Sequence, residues 1–169
     1  MPFNINVVNS CKYLSISATR YDNSSTQANI KITDVETNTT TTAVMSYNSG
    51  TGMGAINVPV ENLSATRGVF RVCVFEQGIE YACKPVMLKC DIDCCLTKLT
   101  NELLDCSCDC PRCASALAKA QKVFLLIQSS KAAVDIAGNN VSNSGYYLDI
   151  NSKYKKAKEI CDNSCGCDC

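Results

Sequence analysis

Apolar and polar residues alternate in short runs along the first half of the chain. The runs predict strands at residues 4–9, 13–19, 28–33, 42–47, 55–60, 69–75 and 80–88, separated by turn-rich stretches. About seven short strands within ~90 residues favour a β-sandwich of immunoglobulin-like type. In the run at 69–75, Phe70, Val72 and Val74 are expected on one face of the sheet, with Arg71 and Cys73 on the other.

After residue 88 the apolar residues follow helical spacing. Leu96, Leu99 and Leu103 share one face of a helix predicted at 92–105, and further helices are predicted at 112–136 and 147–161. The sequence therefore predicts an α+β chain in two parts. A β-sandwich domain at 1–88 is followed by a Cys-rich helical domain at 89–169, with about three antiparallel helices.

The second predicted helix contains a run that is apolar on nearly every face. Its residues are Val123, Phe124, Leu125, Leu126 and Ile127. A helix that is apolar all round must be covered on all sides. Two interpretations stay open: burial of this run in a subunit interface, and burial beneath the other helices of the same chain.

Cysteine is abundant, with 14 in the chain, and eight of these fall into two clusters. The clusters are Cys106, Cys108, Cys110 and Cys113, and then Cys161, Cys165, Cys167 and Cys169. Because antiparallel helices return to the same end of a bundle, we expect both clusters at one tip of the helical module. Cys90, Cys94 and Cys95 are then expected toward the opposite end.

Eight converging sulfurs permit two chemistries. Disulfides are favoured, because the cysteine content is that of an oxidised scaffold. The alternative is zinc held by thiolates, four to each ion, although Cys-x-Cys spacing is tighter than the usual spacing of structural zinc sites. No cofactor is predicted under the favoured interpretation, and the order of pairing cannot be read from the sequence.

The last two predicted strands should form a hairpin around residues 76–79. This places Cys73 and Cys83 opposite each other or one step out of register. Opposed antiparallel residues lie close enough for a disulfide, and two separate buried thiols remain the alternative. Cys11 has no partner that its spacing indicates.

The charge and the missing residue types exclude several classes of function. Lys plus Arg and Asp plus Glu both number 16, so no basic excess indicates a nucleic-acid partner. The absence of His excludes Ser-His and Cys-His nucleophile pairs, and we expect no enzyme. No apolar run approaches the ~20 residues of a membrane span, and the first residues lack a signal-peptide pattern. We therefore expect synthesis in the cytoplasm and no membrane partner.

Five segments together resemble small Cys-rich structural proteins of tailed bacteriophages. They read GVFRVC at 68–73, ACKPV at 82–86, CDIDCCLTKL at 90–99, CSCDCPRC at 106–113 and KAQKVFLLI at 119–127. The resemblance implies a virion protein of the neck, tail or fibre-attachment region, with copies of itself and other virion proteins as partners. It also implies oxidation after release from the host cytoplasm, so that disulfides staple the oligomer. A capsid decoration protein and an intracellular zinc-thiolate protein are the alternatives.

Overall fold

The computed structural model describes residues 4–20, 26–105, 111–137 and 144–162. The chain is of mixed α+β class, with its strands in the first half and its helices in the second. The strands are β1 (Asn4–Asn9), β2 (Tyr13–Thr19), β3 (Gln27–Asp34), β4 (Thr40–Ser46), β5 (Met53–Pro59), β6 (Gly68–Glu76) and β7 (Ile79–Leu88). The helices are α1 (Cys90–Asp105), α2 (Pro111–Ala137) and α3 (Ser144–Asp162), and a short 3₁₀ turn covers Val60–Asn62.

The strands form two antiparallel sheets. One has three strands in the order β1-β2-β5, and the other has four in the order β4-β3-β6-β7. The alternating pattern located these strands within two residues of their observed ends. It performs well here because each sheet buries only one face over most of its strands, so the period of two stays visible in the sequence.

The main hydrophobic core takes its side chains from both sheets. Leu14 and Ile16 of β2 and Ile30 and Ile32 of β3 are fully buried in it. On β6, Phe70, Val72 and Val74 point into this core, as the alternation predicts. Val69 belongs to a second cluster on the opposite face of the same strand, so β6 is buried on both of its faces.

The second cluster joins the helices to the four-stranded sheet. It combines Val69 of β6 with Ile92 of α1, Val123 of α2, and Ile150 and Tyr154 of α3. All three helices therefore contribute side chains to a layer against the outer face of β6. This layer fixes where the helical cysteines lie relative to the strands.

α1 begins at Cys90, two residues before the predicted start. Asp91 and Asp93 occupy its first turn, where carboxylates interact favourably with the positive end of the helix dipole. Lys89 forms an ion pair with Asp93, at 2.7 Å from Nζ to Oδ1. Apolar periodicity missed this first turn because it is mostly polar.

Candidate functional site

Cys73 and Cys83 form a disulfide across the β6–β7 hairpin. The two residues are direct partners in the strand register, with Cα atoms 4.1 Å apart. This is the disulfide alternative that the hairpin spacing left open. Both residues are almost fully buried, at 1% and 4% exposure, on the face of β6 and β7 that lies away from the main core.

A second disulfide joins Cys11 to Cys90, and sequence reasoning missed it. Cys11 lies in the turn between β1 and β2, and Cys90 is the first residue of α1. Their Cα atoms are 6.1 Å apart, although 79 positions separate them in sequence. Cys11 also has a φ of 66°, a left-handed conformation that few residues other than glycine adopt. Only the docking of the sheet on the helices brings these two cysteines together.

The third disulfide joins Cys95 of α1 to Cys161 of α3, with Cα atoms 5.8 Å apart. The expectation that Cys161 lies at the far tip from Cys95 is therefore wrong. The hydrogen bond from Tyr154 to Asp91, together with this bridge, shows that α1 and α3 run in the same direction. α3 is displaced toward the start of α1, so Cys161 reaches only the level of Cys95. From there α1 continues to Asp105, a further rise of ~15 Å.

Most of the predicted tip lies outside the described residues. This holds for Cys106, Cys108, Cys110, Cys165, Cys167 and Cys169, while Cys113 is described only as part of the α2 backbone. Their convergence stays a prediction. Cys161 is not available to a tip zinc site in this structure, because its sulfur is in a disulfide and is not a thiolate.

Within the described residues, one group of possible metal ligands comes together, at Cys73, Glu80 and Cys83. Both sulfurs belong to the hairpin disulfide, and the Glu80 carboxylate accepts hydrogen bonds from Arg71. A metal would therefore require reduction of this bridge and loss of the ion pair. Cys94 of α1 is an exposed thiol with no disulfide partner among the described residues.

Polar contacts accompany the disulfides where α3 meets the hairpin. Arg71 donates from Nη1 to Glu80 Oε2 at 2.9 Å, and its guanidinium carbon lies 5.7 Å from the ring centre of Tyr147. The hydrogen bond to Glu80 raises the pKa of Arg71, although burial opposes this shift. Burial raises the pKa of the Tyr147 phenol, and the charge of Arg71 partly offsets that change.

A second polar contact ties α3 to the start of α1. Tyr154 donates from its hydroxyl to Asp91 Oδ2 at 3.1 Å, and Arg67 lies 3.8 Å from the same carboxylate oxygen. Burial raises the pKa of the Tyr154 phenol, and the negative charge of Asp91 adds to the shift. Burial and the nearby carboxylate therefore both favour the neutral form of the Tyr154 phenol.

The apolar run predicted as an interface divides between two environments. Val123 is fully buried in the second core, and Leu126 and Ile127 pack against it. Phe124 and Leu125 point outward, at 53% and 66% exposure. Burial within the same chain therefore holds for Val123, Leu126 and Ile127 only, because a helix of 3.6 residues per turn cannot turn five consecutive residues to one side. Burial of Phe124 and Leu125 in a subunit interface stays a prediction.

Comparison of the chain with protein-family models, with curated proteins and with solved structures finds no match in any of the three. Among the described residues, no helix combines the length and the apolar character required to cross a membrane.

Proposed function

We propose that this chain is a structural subunit of a tailed bacteriophage virion, assembled as an oligomer in the neck, tail or fibre-attachment region. The observation that carries the proposal is the combination of disulfides that bind the sheets and helices into one unit with apolar side chains left outward on α2. A subunit of a particle needs both: internal rigidity and a surface that a neighbour can cover.

We infer that the strands form an immunoglobulin-like sandwich. The support is the division into sheets of three and four strands around a shared core, with β2 and β6 each inside a different sheet. Such sandwiches commonly serve as docking modules, and this part of the proposal is an analogy from fold. Under the proposal, this module contacts other virion proteins, while the helical module contacts further copies of the chain.

The outward side of α2 is the proposed contact between subunits. Among the α2 side chains that the structure describes, Leu117, Phe124 and Leu125 are large, apolar and exposed. Their positions at i, i+7 and i+8 place them along one side of the helix, a spacing that suits packing against a neighbouring helix. Disulfides between subunits, formed by tip cysteines after release from the host cytoplasm, would then stabilise a contact already made by these side chains.

The oligomer is tested by light scattering after size exclusion of the oxidised chain. The variant Phe124→Ser/Leu125→Ser should shift the mass toward that of the monomer. The control is Leu148→Ser, which removes an apolar side chain of 58% exposure from α3. A native chain that stays monomeric at high concentration, or a control that dissociates equally, would contradict the α2 interface.

Two further measurements test the disulfides and the particle. On a non-reducing gel the assembled protein should migrate as a ladder that collapses on reduction, and a single unshifted band would contradict bridges between subunits. Elemental analysis under reducing conditions should find no stoichiometric zinc, whereas about two ions per chain would favour the zinc-thiolate alternative. Mass spectrometry of purified virions should detect the chain, and its absence there would rule out a virion component.

A further inference from the structure

The outer edge of β7 lies beside a cleft that has no part in the proposed function. β7 is the last strand of its sheet, and within the described part of the chain β6 is the strand that pairs with it. The Cα separation of 4.1 Å between Cys73 and Cys83 is typical of a non-hydrogen-bonded pair. The backbone groups of Cys83, Pro85 and Met87 therefore point away from β6. In agreement with this, Asn9 of β1 donates to the Met87 carbonyl at 3.1 Å.

This edge is poorly suited to receive another strand. Pro85 has no N–H to offer, and the Met87 carbonyl is already occupied by Asn9. Proline on an edge strand is a common protection against strand addition. An extended peptide that pairs with β7 is therefore not the occupant that the edge favours.

A cleft of about 480 Å³ runs along the same edge. Its walls come from three elements: Val7 of β1, Val86 and Met87 of β7, and Ile127 of α2. The volume falls within the range of pockets that hold small molecules. The cleft lies where the sheets meet the helices, which is a frequent position for such pockets.

Positive charge in the cleft is not balanced within its walls. Lys84 and Lys89 both line it, and no Asp or Glu is among its lining residues. Lys89 pairs with Asp93, outside the cleft, at 2.7 Å and 3.0 Å. Lys84 has no ion pair with any residue that the structure describes. On β7, Lys84 lies on the same face as Ala82 and Val86, whose side chains enter the main core.

We propose that this cleft binds a small amphiphilic anion, a molecule with a carboxylate head and an unbranched apolar chain. The head pairs with the Lys84 ammonium, and the Gln128 amide can add a hydrogen bond. The chain lies against Val7, Met87 and Ile127. Charge complementarity and the apolar walls together select this class, because a wholly polar anion would leave the walls uncovered and a neutral lipid would leave Lys84 unpaired.

Another role for Lys84 requires no ligand. An inward-pointing charge on an edge strand discourages aggregation, and Lys84 next to Pro85 fits that role. The two roles differ in one measurable respect. Only a binding site discriminates between a charged and an uncharged ligand of the same length.

The test is isothermal titration of the full oxidised chain with decanoate below its micellar concentration, and separately with decanol. Decanoate should bind about tenfold more tightly than decanol to the native chain. The variant Lys84→Met should remove that difference, whereas Lys12→Met, at an exposed turn position, should keep it. Gln128→Trp, which places a bulky side chain at the exposed lip of the cleft, should weaken both ligands.

Equal binding of decanoate and decanol to the native chain, or no binding of either, would overturn the proposal without any variant. Decanoate binding that survives Gln128→Trp unchanged would place the ligand elsewhere, such as on the exposed side of α2. If Lys84→Met fails to fold, Lys84→Gln serves in its place. None of these outcomes depends on oligomer formation, so the cleft and the virion proposal fail independently.

Discussion

Cys95 of α1 and Cys161 of α3 are joined by a disulfide across two helices that run in the same direction. The bridge closes a sequence separation of 66 residues, which includes the whole of α2. It therefore restricts a large part of the unfolded chain. Its effect on stability should greatly exceed that of any single contact between the same helices.

Replacing both partners, as Cys95→Ser/Cys161→Ser, should lower the free energy of unfolding by about 4 kcal/mol, because the unfolded chain regains the entropy of a long open loop. The measurement is urea unfolding of the oxidised protein. Cys94→Ser is a matched control on the neighbouring residue, which is exposed, and it should change stability by less than about 0.5 kcal/mol. Equal losses in the two variants would show that the bridge is not a stabilising cross-link.

The three disulfides seen among the described residues should differ in their resistance to reduction. Cys73 and Cys83 are buried, whereas Cys11 is exposed and Cys90, Cys95 and Cys161 are partly exposed. An attacking thiolate must reach a sulfur before exchange can occur. Limited dithiothreitol should therefore open Cys11–Cys90 and Cys95–Cys161 before Cys73–Cys83.

Alkylation of the released thiols followed by peptide mass mapping gives the order. In denaturant the three bridges should open at comparable rates, because the protection comes from burial. Early loss of the hairpin bridge in the folded protein would contradict the packing of the helices over β6.

The outcomes for individual residues show how far the sequence determines this arrangement. Strand alternation is a local property of the sequence, and it predicts that Phe70, Val72 and Val74 point into the core. Hairpin length is also local, and it predicts that Cys73 lies close to Cys83. The pairs Cys11–Cys90 and Cys95–Cys161 depend on how the helices dock, at separations of 79 and 66 residues. Spacing contains no information about a displacement of α3 along α1, and that displacement is what moved Cys161 away from its expected position.

The division of the apolar run on α2 has a similar cause. Periodicity cannot assign an inside to a segment in which every residue is apolar. The buried side of α2 is the side that packs into the second core, where Val123 contacts the cluster that also contains Val69 and Ile92. The cleft beside Lys84 was also not predictable, because its walls come from strands and a helix that are remote in sequence.

The buried phenols of Tyr147 and Tyr154 predict a loss of stability in alkali. The pKa values of Tyr147 and Tyr154 are both raised in the folded chain, so the folded state holds these protons more tightly than the unfolded state does. Their contribution is fully present below the unfolded value of about 10 and is lost as the pH rises above it. Urea unfolding at pH 8 and at about pH 10.5 should show this decrease.

Tyr154→Phe identifies the source of that pH dependence. The variant loses the hydrogen bond to Asp91 and should be less stable at pH 8, but its further loss on going to alkali should be smaller than in the native chain. Tyr13→Phe, at an exposed position on β2, is the matched control and should keep the full alkaline decrease. Identical pH profiles for the native chain and Tyr154→Phe would contradict the assignment to this phenol.

Val123 and Leu125, two residues apart on α2, should respond in opposite ways to truncation. Val123 has no exposed surface, so Val123→Ala leaves a cavity in the second core and should cost about 2 kcal/mol of stability. Leu125 is 66% exposed, so Leu125→Ala should change the free energy of unfolding of the monomer by less than about 0.5 kcal/mol.

The same two variants should have the opposite ranking in their effect on oligomer formation. Leu125→Ala removes contact area between subunits in the proposed oligomer, while Val123→Ala leaves that surface intact. Urea unfolding at low protein concentration, paired with light scattering at high concentration, measures both effects. A large loss of monomer stability in Leu125→Ala would show that this side chain is covered within its own chain, and the proposed contact between subunits would then lose its central residue.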